Sequence, residues 1–103
     1  MFQGKRALVL GVANRRSIAW AIAKRLAAGG AELAFTYQGE RIEKNVRDLA
    51  DSVGSPLVTE LDVRDDVAIE RVFGQVAETF GGQLDLLVPS LAFYAWLRRS
   101  REA

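Results

Sequence analysis

Among its 103 residues the chain has neither cysteine nor histidine. Those absences exclude disulfides, thiol chemistry, zinc sites of the usual ligand types and histidine-based acid–base catalysis. No apolar run approaches the length of a membrane span, and no apolar core follows Met1-Phe2-Gln3-Gly4-Lys5-Arg6 to make a signal peptide. Neither sign of charge dominates: the formal net charge is +1, which argues neither for nucleic acid nor for an acidic partner. Internal repeats, low-complexity tracts and linkers are missing too. What is left is ordinary for a globular protein, with 50% hydrophobic and 26% charged residues. The length allows at most one domain, able to bury roughly two-thirds of its unfolded surface. A cytoplasmic protein with no membrane and no nucleic-acid partner is expected.

Strand and helix patterns alternate along the chain. Ala7-Leu8-Val9-Leu10 is a continuous apolar run, the pattern of a strand buried on both faces, and the first strand spans about 6–10. A helix over 17–28 follows, with Ile18, Ile22 and Leu26 at helical spacing and Ala19, Ala23 and Ala27 alongside; Gly29-Gly30 stops it. A second strand is expected at 32–37, where Leu33, Ala34, Phe35 and Thr36 read as buried or β-prone. The second helix, 40–53, gathers Ile42, Val46, Leu49 and Ala50 on one face, and Gly54-Ser55-Pro56 breaks it. A third strand at 57–61 leads through Asp62-Val63-Arg64-Asp65-Asp66 into a helix over 67–80, which groups Ile69, Val72, Phe73 and Val76. Gly81-Gly82 ends it, and 84–88 is a fourth apolar strand.

Alternation with connections this short predicts an α/β fold with a parallel sheet, right-handed crossovers and helices on both faces. Four strands and three helices make a partial doubly wound Rossmann fold, in the spatial order 3-2-1-4. Ligands in such sheets sit at the carboxyl ends of the strands, where the order reverses. Gly11 and Ser90 both fall at that end.

The stretch Gly11-Val12-Ala13-Asn14-Arg15-Arg16-Ser17-Ile18-Ala19 joins the first strand to the first helix. It lacks the common G-x-G-x-x-G fingerprint and carries one glycine. Gly11 allows a sharp turn, Ser17 is a good N-cap type, and unpaired N–H groups at the helix start suit a phosphate. An ordinary strand-to-helix turn with a serine cap is the alternative; the position at the carboxyl edge favours the ligand reading. Arg15 and Arg16 could attract diphosphate or simply be solvated.

Four segments in register carry a resemblance: GVANRRSIAWAIA, GGAELAFTYQ, the LDV after the third strand and the LDLLV-x-S-x-AF of the fourth. From about Gly4 to Phe93 the chain resembles bacterial enoyl-acyl-carrier-protein reductase, a divergent short-chain dehydrogenase with G-x5-S-x-A in place of the glycine-rich turn. Gly11, Ser17 and Ala19 stand at those positions. The resemblance implies NADH-dependent reduction of a trans-2-enoyl chain on acyl carrier protein, in fatty acid biosynthesis, by a full-length homotetramer. It implies that residues 1–93 are the amino-terminal part of an NAD(P)-binding domain and that 94–103 are a divergent tail.

The resemblance assigns Gly11, Ser17 and Ile18 to the diphosphate, Gln38 to the adenosine ribose, Asp62 and Val63 to adenine, and Leu91 to the strand-four loop beside the cofactor. A carboxylate can accept from the adenine amino group, and a backbone N–H beside Val63 can donate to a ring nitrogen. Asp62 could instead help cap the third helix, although Asp65 and Asp66 are better placed for that. A neutral Gln38 with Glu40 and Arg41 nearby favours NADH and leaves NADPH open.

The family's catalytic pair is a tyrosine and a lysine seven positions later, on a helix after the fourth strand. That pair is absent here, so no catalytic residue is assigned. Tyr37 and Lys44 share the spacing but lie on the adenosine side, which makes them a coincidence, with Lys44 facing solvent. Pro89 stands where the family leads one to expect a histidine, and Tyr94 stands nearest its substrate-binding alanine. The loss of similarity after Phe93 suggests a truncated or frame-shifted reading of a longer gene, inactive alone, with the fourth strand's far edge unpaired. Alternatively Trp96 and Leu97 belong to a short amphipathic cap over that edge. Two other readings compete: a stand-alone module that binds NAD or an adenine nucleotide, and another divergent short-chain reductase.

Overall fold

Side chains that alternate between two apolar faces build the centre of the molecule. The computed structural model describes residues 1–102, with the side chains of Leu91, Ala92, Trp96, Ser100 and Glu102 outside the description. β1 (Arg6–Val9) sends Ala7 and Val9 to one core, while Leu8 and the following Leu10 go to the other. β2 (Glu32–Tyr37) likewise sends Leu33, Phe35 and Tyr37 to the first and Ala34 to the second. With β3 (Leu57–Glu60) and β4 (Leu86–Val88) they form a parallel sheet in the order β3-β2-β1-β4. Val9 stands opposite both Phe35 and Val88, and Tyr37 opposite Glu60.

Helices cover both faces, as a sheet buried on two sides requires. α1 (Ile18–Ala28) and α2 (Glu43–Ser52) bring Trp20, Ala23, Leu26, Val46 and Ala50 to the first core. α3 (Asp66–Thr79) brings Ile69, Val72 and Val76 to the second. Each fully buried large apolar side chain contributes about 1.5–3 kcal/mol relative to exposure.

Three features differ from the expectation. A fourth helix, α4 (Leu91–Glu102), occupies most of the segment expected to be a divergent tail. It contains no glycine or proline to stop it, and its Phe93 packs beside Phe73 with ring centroids 6.3 Å apart. Ala103 lies outside the described residues. A short 3-10 turn, Glu40–Ile42, precedes α2 where one longer helix was expected. The stripe on α1 is also rotated: Trp20, Ala23 and Leu26 face the core, while Ile18 is 79% exposed. Trp20 is the largest apolar side chain on that helix, and its contact with Phe35, 6.1 Å between centroids, sets which face turns inward.

Among the described residues, β4 pairs with β1 alone, and Leu87 is 40% exposed. Pro89 follows the last paired residue, Val88, so the proline sits at the strand end, where the missing donor is tolerated. Among the described residues no helix is long and apolar enough to cross a membrane, and no cluster of three or more His, Cys, Asp or Glu could hold a metal ion.

Candidate functional site

Because all four strands run the same way, Gly11, Gln38, Asp62 and Ser90 emerge at one edge of the sheet. The turn after β1 is tied down at both ends. Gly11 has φ +72°, and a Cβ added there would stand 2.8 Å from the Cβ of Ser90. Its N–H points to the Oγ1 of buried Thr36 on β2, 3.4 Å away. At the far end Ser17 is extended and caps α1: its Oγ accepts the Trp20 N–H at 3.2 Å and donates to the Asn14 carbonyl at 2.9 Å. Asn14 Oδ1 also accepts the Arg16 N–H at 2.8 Å.

The first turn of α1 contains no acidic residue, so nothing on it neutralises the positive end of the helix dipole. Ile18 is exposed there and Ser17 half-buried. Asn14, Arg15 and Arg16 also line a groove of about 580 Å³, closed on its other side by Asn45, Asp48 and Leu49 of α2.

Next along the edge, the ends of β2 and β3 are joined. The Leu61 N–H donates to the Tyr37 carbonyl at 2.8 Å, and the Gly39 N–H to Glu60 Oε2 at 3.2 Å. Gln38, between them, is exposed. Tyr37 is buried beside Glu43; burial first, and that carboxylate second, push its pKa up. Glu43 in turn accepts from Arg47 Nε at 2.8 Å, and Arg47 first, then Tyr37, pull its pKa down. Lys44 is 91% exposed and lies 4.0 Å from Asp48, facing solvent as expected.

Asp62 does not cap α3. Asp65 does, accepting the N–H groups of Val67 at 3.0 Å and Ala68 at 3.2 Å. Asp62 engages Arg64 instead, and the guanidinium and then the backbone N–H of Arg64 hold its carboxyl at about 2. The Val63 side chain is in the second core, which anchors the backbone at that point. Leu91 opens α4, and its side chain lies outside the described residues. The Tyr94 N–H is used at the start of α4, donating to the Ser90 carbonyl at 3.0 Å, and the residue is 53% exposed.

Gly11, Ser17 and Ile18 thus share one turn, with Gln38 and Asp62 on the neighbouring strand ends. Three contributors escaped the sequence reading: Thr36, Glu60 and Arg64. Only the strand register makes Thr36 and Glu60 neighbours of this edge, and a polar residue in a buried strand was the one available signal for Thr36. The donor set fits a dinucleotide. An acid-free helix start can receive a diphosphate, a neutral amide can meet a ribose hydroxyl, and an ionised carboxylate can accept from an amino group.

Comparison with known proteins identifies the family. A family model described as enoyl-(acyl carrier protein) reductase matches residues 11–102. An enoyl-[acyl-carrier-protein] reductase [NADH] of Rhizobium meliloti is 48% identical over 93 residues, covering 90% of this chain and 34% of that protein. The crystal structure of the Aquifex aeolicus enoyl-[acyl-carrier-protein] reductase (NADH) superposes with a TM-score of 0.80 at 46% identity, over 86% of this chain and 39% of that one. A reductase from Anaplasma phagocytophilum in complex with NAD gives 0.77 at 42% identity, over 84% and 32%. The chain spans about a third of the length of the curated relatives it matches.

Proposed function

The chain belongs to the enoyl-(acyl carrier protein) reductase family, and on that premise we propose that it binds NADH for the reduction of a trans-2-enoyl chain on acyl carrier protein. The turn from Gly11 to Ile18 carries the reading. It is a tied loop opening an acid-free helix at the carboxyl edge of β1, beside the reversal of strand order. The helix start at Ser17 and Ile18 receives the diphosphate through the N–H groups beyond that of Ser17, which itself donates to the Asn14 carbonyl at 3.2 Å. Gln38 bonds a ribose hydroxyl, with less selection against NADPH than an acid would give. Asp62 accepts from the adenine amino group, and the backbone at Val63 lines the same pocket. Leu91 belongs to the strand-four loop beside the cofactor, and Tyr94 to the substrate side.

When bound, NADH supplies the hydride; these residues bind and orient it. The reading makes residues 1–93 the amino-terminal part of an NAD(P)-binding domain. It places the chain in the cytoplasm and the full-length family assembly in a homotetramer. Catalysis by this chain alone is not expected, since its one tyrosine–lysine pair at the family's spacing, Tyr37 and Lys44, points apart. Calorimetric titration of the chain with NADH tests the reading. Saturable heat that Asp62→Ala weakens is expected; no saturable heat from the parent chain refutes it.

A further inference from the structure

The ion pair after β3 is bidentate and lies at the surface, with the Arg64 side chain 75% exposed. Arg64 reaches back two residues and gives Asp62 three hydrogen bonds. Its backbone N–H meets Oδ1 at 2.9 Å, its Nε meets Oδ1 at 3.0 Å, and its Nη2 meets Oδ2 at 2.8 Å. The planar guanidinium thus grips both carboxylate oxygens and fixes the plane of the group. An ionised carboxylate offers about four acceptor sites, two on each oxygen. Oδ1 has both of its sites filled. Among the described residues, Oδ2 has one filled and one open.

The open site lies at the edge where the dinucleotide is placed. Asp62 directly follows Leu61, whose N–H is bonded to the Tyr37 carbonyl, so it stands beside the end of β2 and Gln38. The carboxylate remains partly exposed, at 38%, within reach of a ligand.

We infer that Arg64 is a positioning residue: it presents the free site of Asp62 Oδ2 to the exocyclic amino group of a 6-aminopurine. The inference rests on the reading of the chain as an NADH-binding protein. A pair that only braced the turn between β3 and α3 would not distinguish one purine from another. Arg64 acting through Asp62 affects only purines that carry the amino group.

The test measures affinity for NADH and for its deamino analogue, in which a carbonyl replaces that amino group, on the parent chain, Arg64→Ala and Arg64→Lys. The parent is expected to prefer NADH about tenfold, the worth of a hydrogen bond to a charged acceptor. Both variants should bring the preference within about twofold. Lysine keeps the charge and loses the fork, so its effect separates orientation from attraction. Thermal melts check that each variant folds, and Arg64→Lys stands in where Arg64→Ala does not. An unchanged preference in a folded variant overturns the inference and leaves the NADH reading standing. Equal binding of the two ligands by the parent overturns the inference together with the adenine role of Asp62, and leaves NADH binding itself standing. No binding of either ligand by the parent overturns both.

Discussion

Gly11 combines a φ of +72° with Ser90 pressed against the place where a Cβ would stand. Gly11→Ala should therefore cost about 1–2 kcal/mol for the left-handed conformation alone, and more for the contact. In a Ser90→Gly background the contact part is relieved and the conformational part stays. Urea unfolding of the two single variants and the double variant separates them, and additive effects would refute the contact. Asp62 makes a prediction of a different kind. Its carboxyl ionises at about 2 when folded, against an ordinary 3.8. Between those values the unfolded chain takes up a proton that the folded chain does not. The contribution of the pair is thus complete above about pH 4 and is lost as pH falls through about 2. Thermal midpoints should fall more steeply with acid in the parent than in Asp62→Asn, and coinciding curves would refute this. High salt should shrink the difference, because the pair is exposed to solvent.

At the scale of elements, two helices start with similar caps and different duties. Ser17 caps α1 over the proposed diphosphate site, while Asp65 caps α3. Ser17→Ala and Asp65→Ala should each lower stability by about 1 kcal/mol in urea unfolding. Only Ser17→Ala should also weaken NADH in a titration; equal losses of affinity would sink the assignment of α1. Much of this layer was legible in the sequence, because period-two and period-3.6 patterns report burial directly. β2 falls at 32–37 as expected, and Asp65, one of the two better-placed cap candidates, caps α3. The inward face of α1 was not legible. Ile18, Ile22 and Trp20 are all apolar, and only docking against Phe35 decides among them. The length of α4 escaped for another reason: the segments that carry the resemblance stop at Phe93, but helix propensity does not.

Taken whole, the molecule is a two-faced sheet whose β4 presents an open edge among the described residues. Leu84 and Leu87 are exposed at and beside it, with Ile18 and Ile22 exposed on α1. Open strand edges with apolar neighbours invite pairing between molecules. The chain should associate as concentration rises, and Leu87→Lys should shift it toward monomer in light scattering. Association unchanged by that substitution would place the contact elsewhere.

The sequence alone determined the parallel order of the strands, the two apolar cores and the position of the turn at Gly11. Each follows from local patterning and from the limited ways short βαβ connections can close. Tertiary structure alone decided how the strand ends are knitted together: Thr36 meeting Gly11, Glu60 meeting Gly39 and Tyr37 reaching Glu43. It also decided that Asp62 would be held by Arg64 rather than spent on a helix cap. Those contacts depend on register and side-chain direction, which are settled only when separate segments of the chain come to lie side by side.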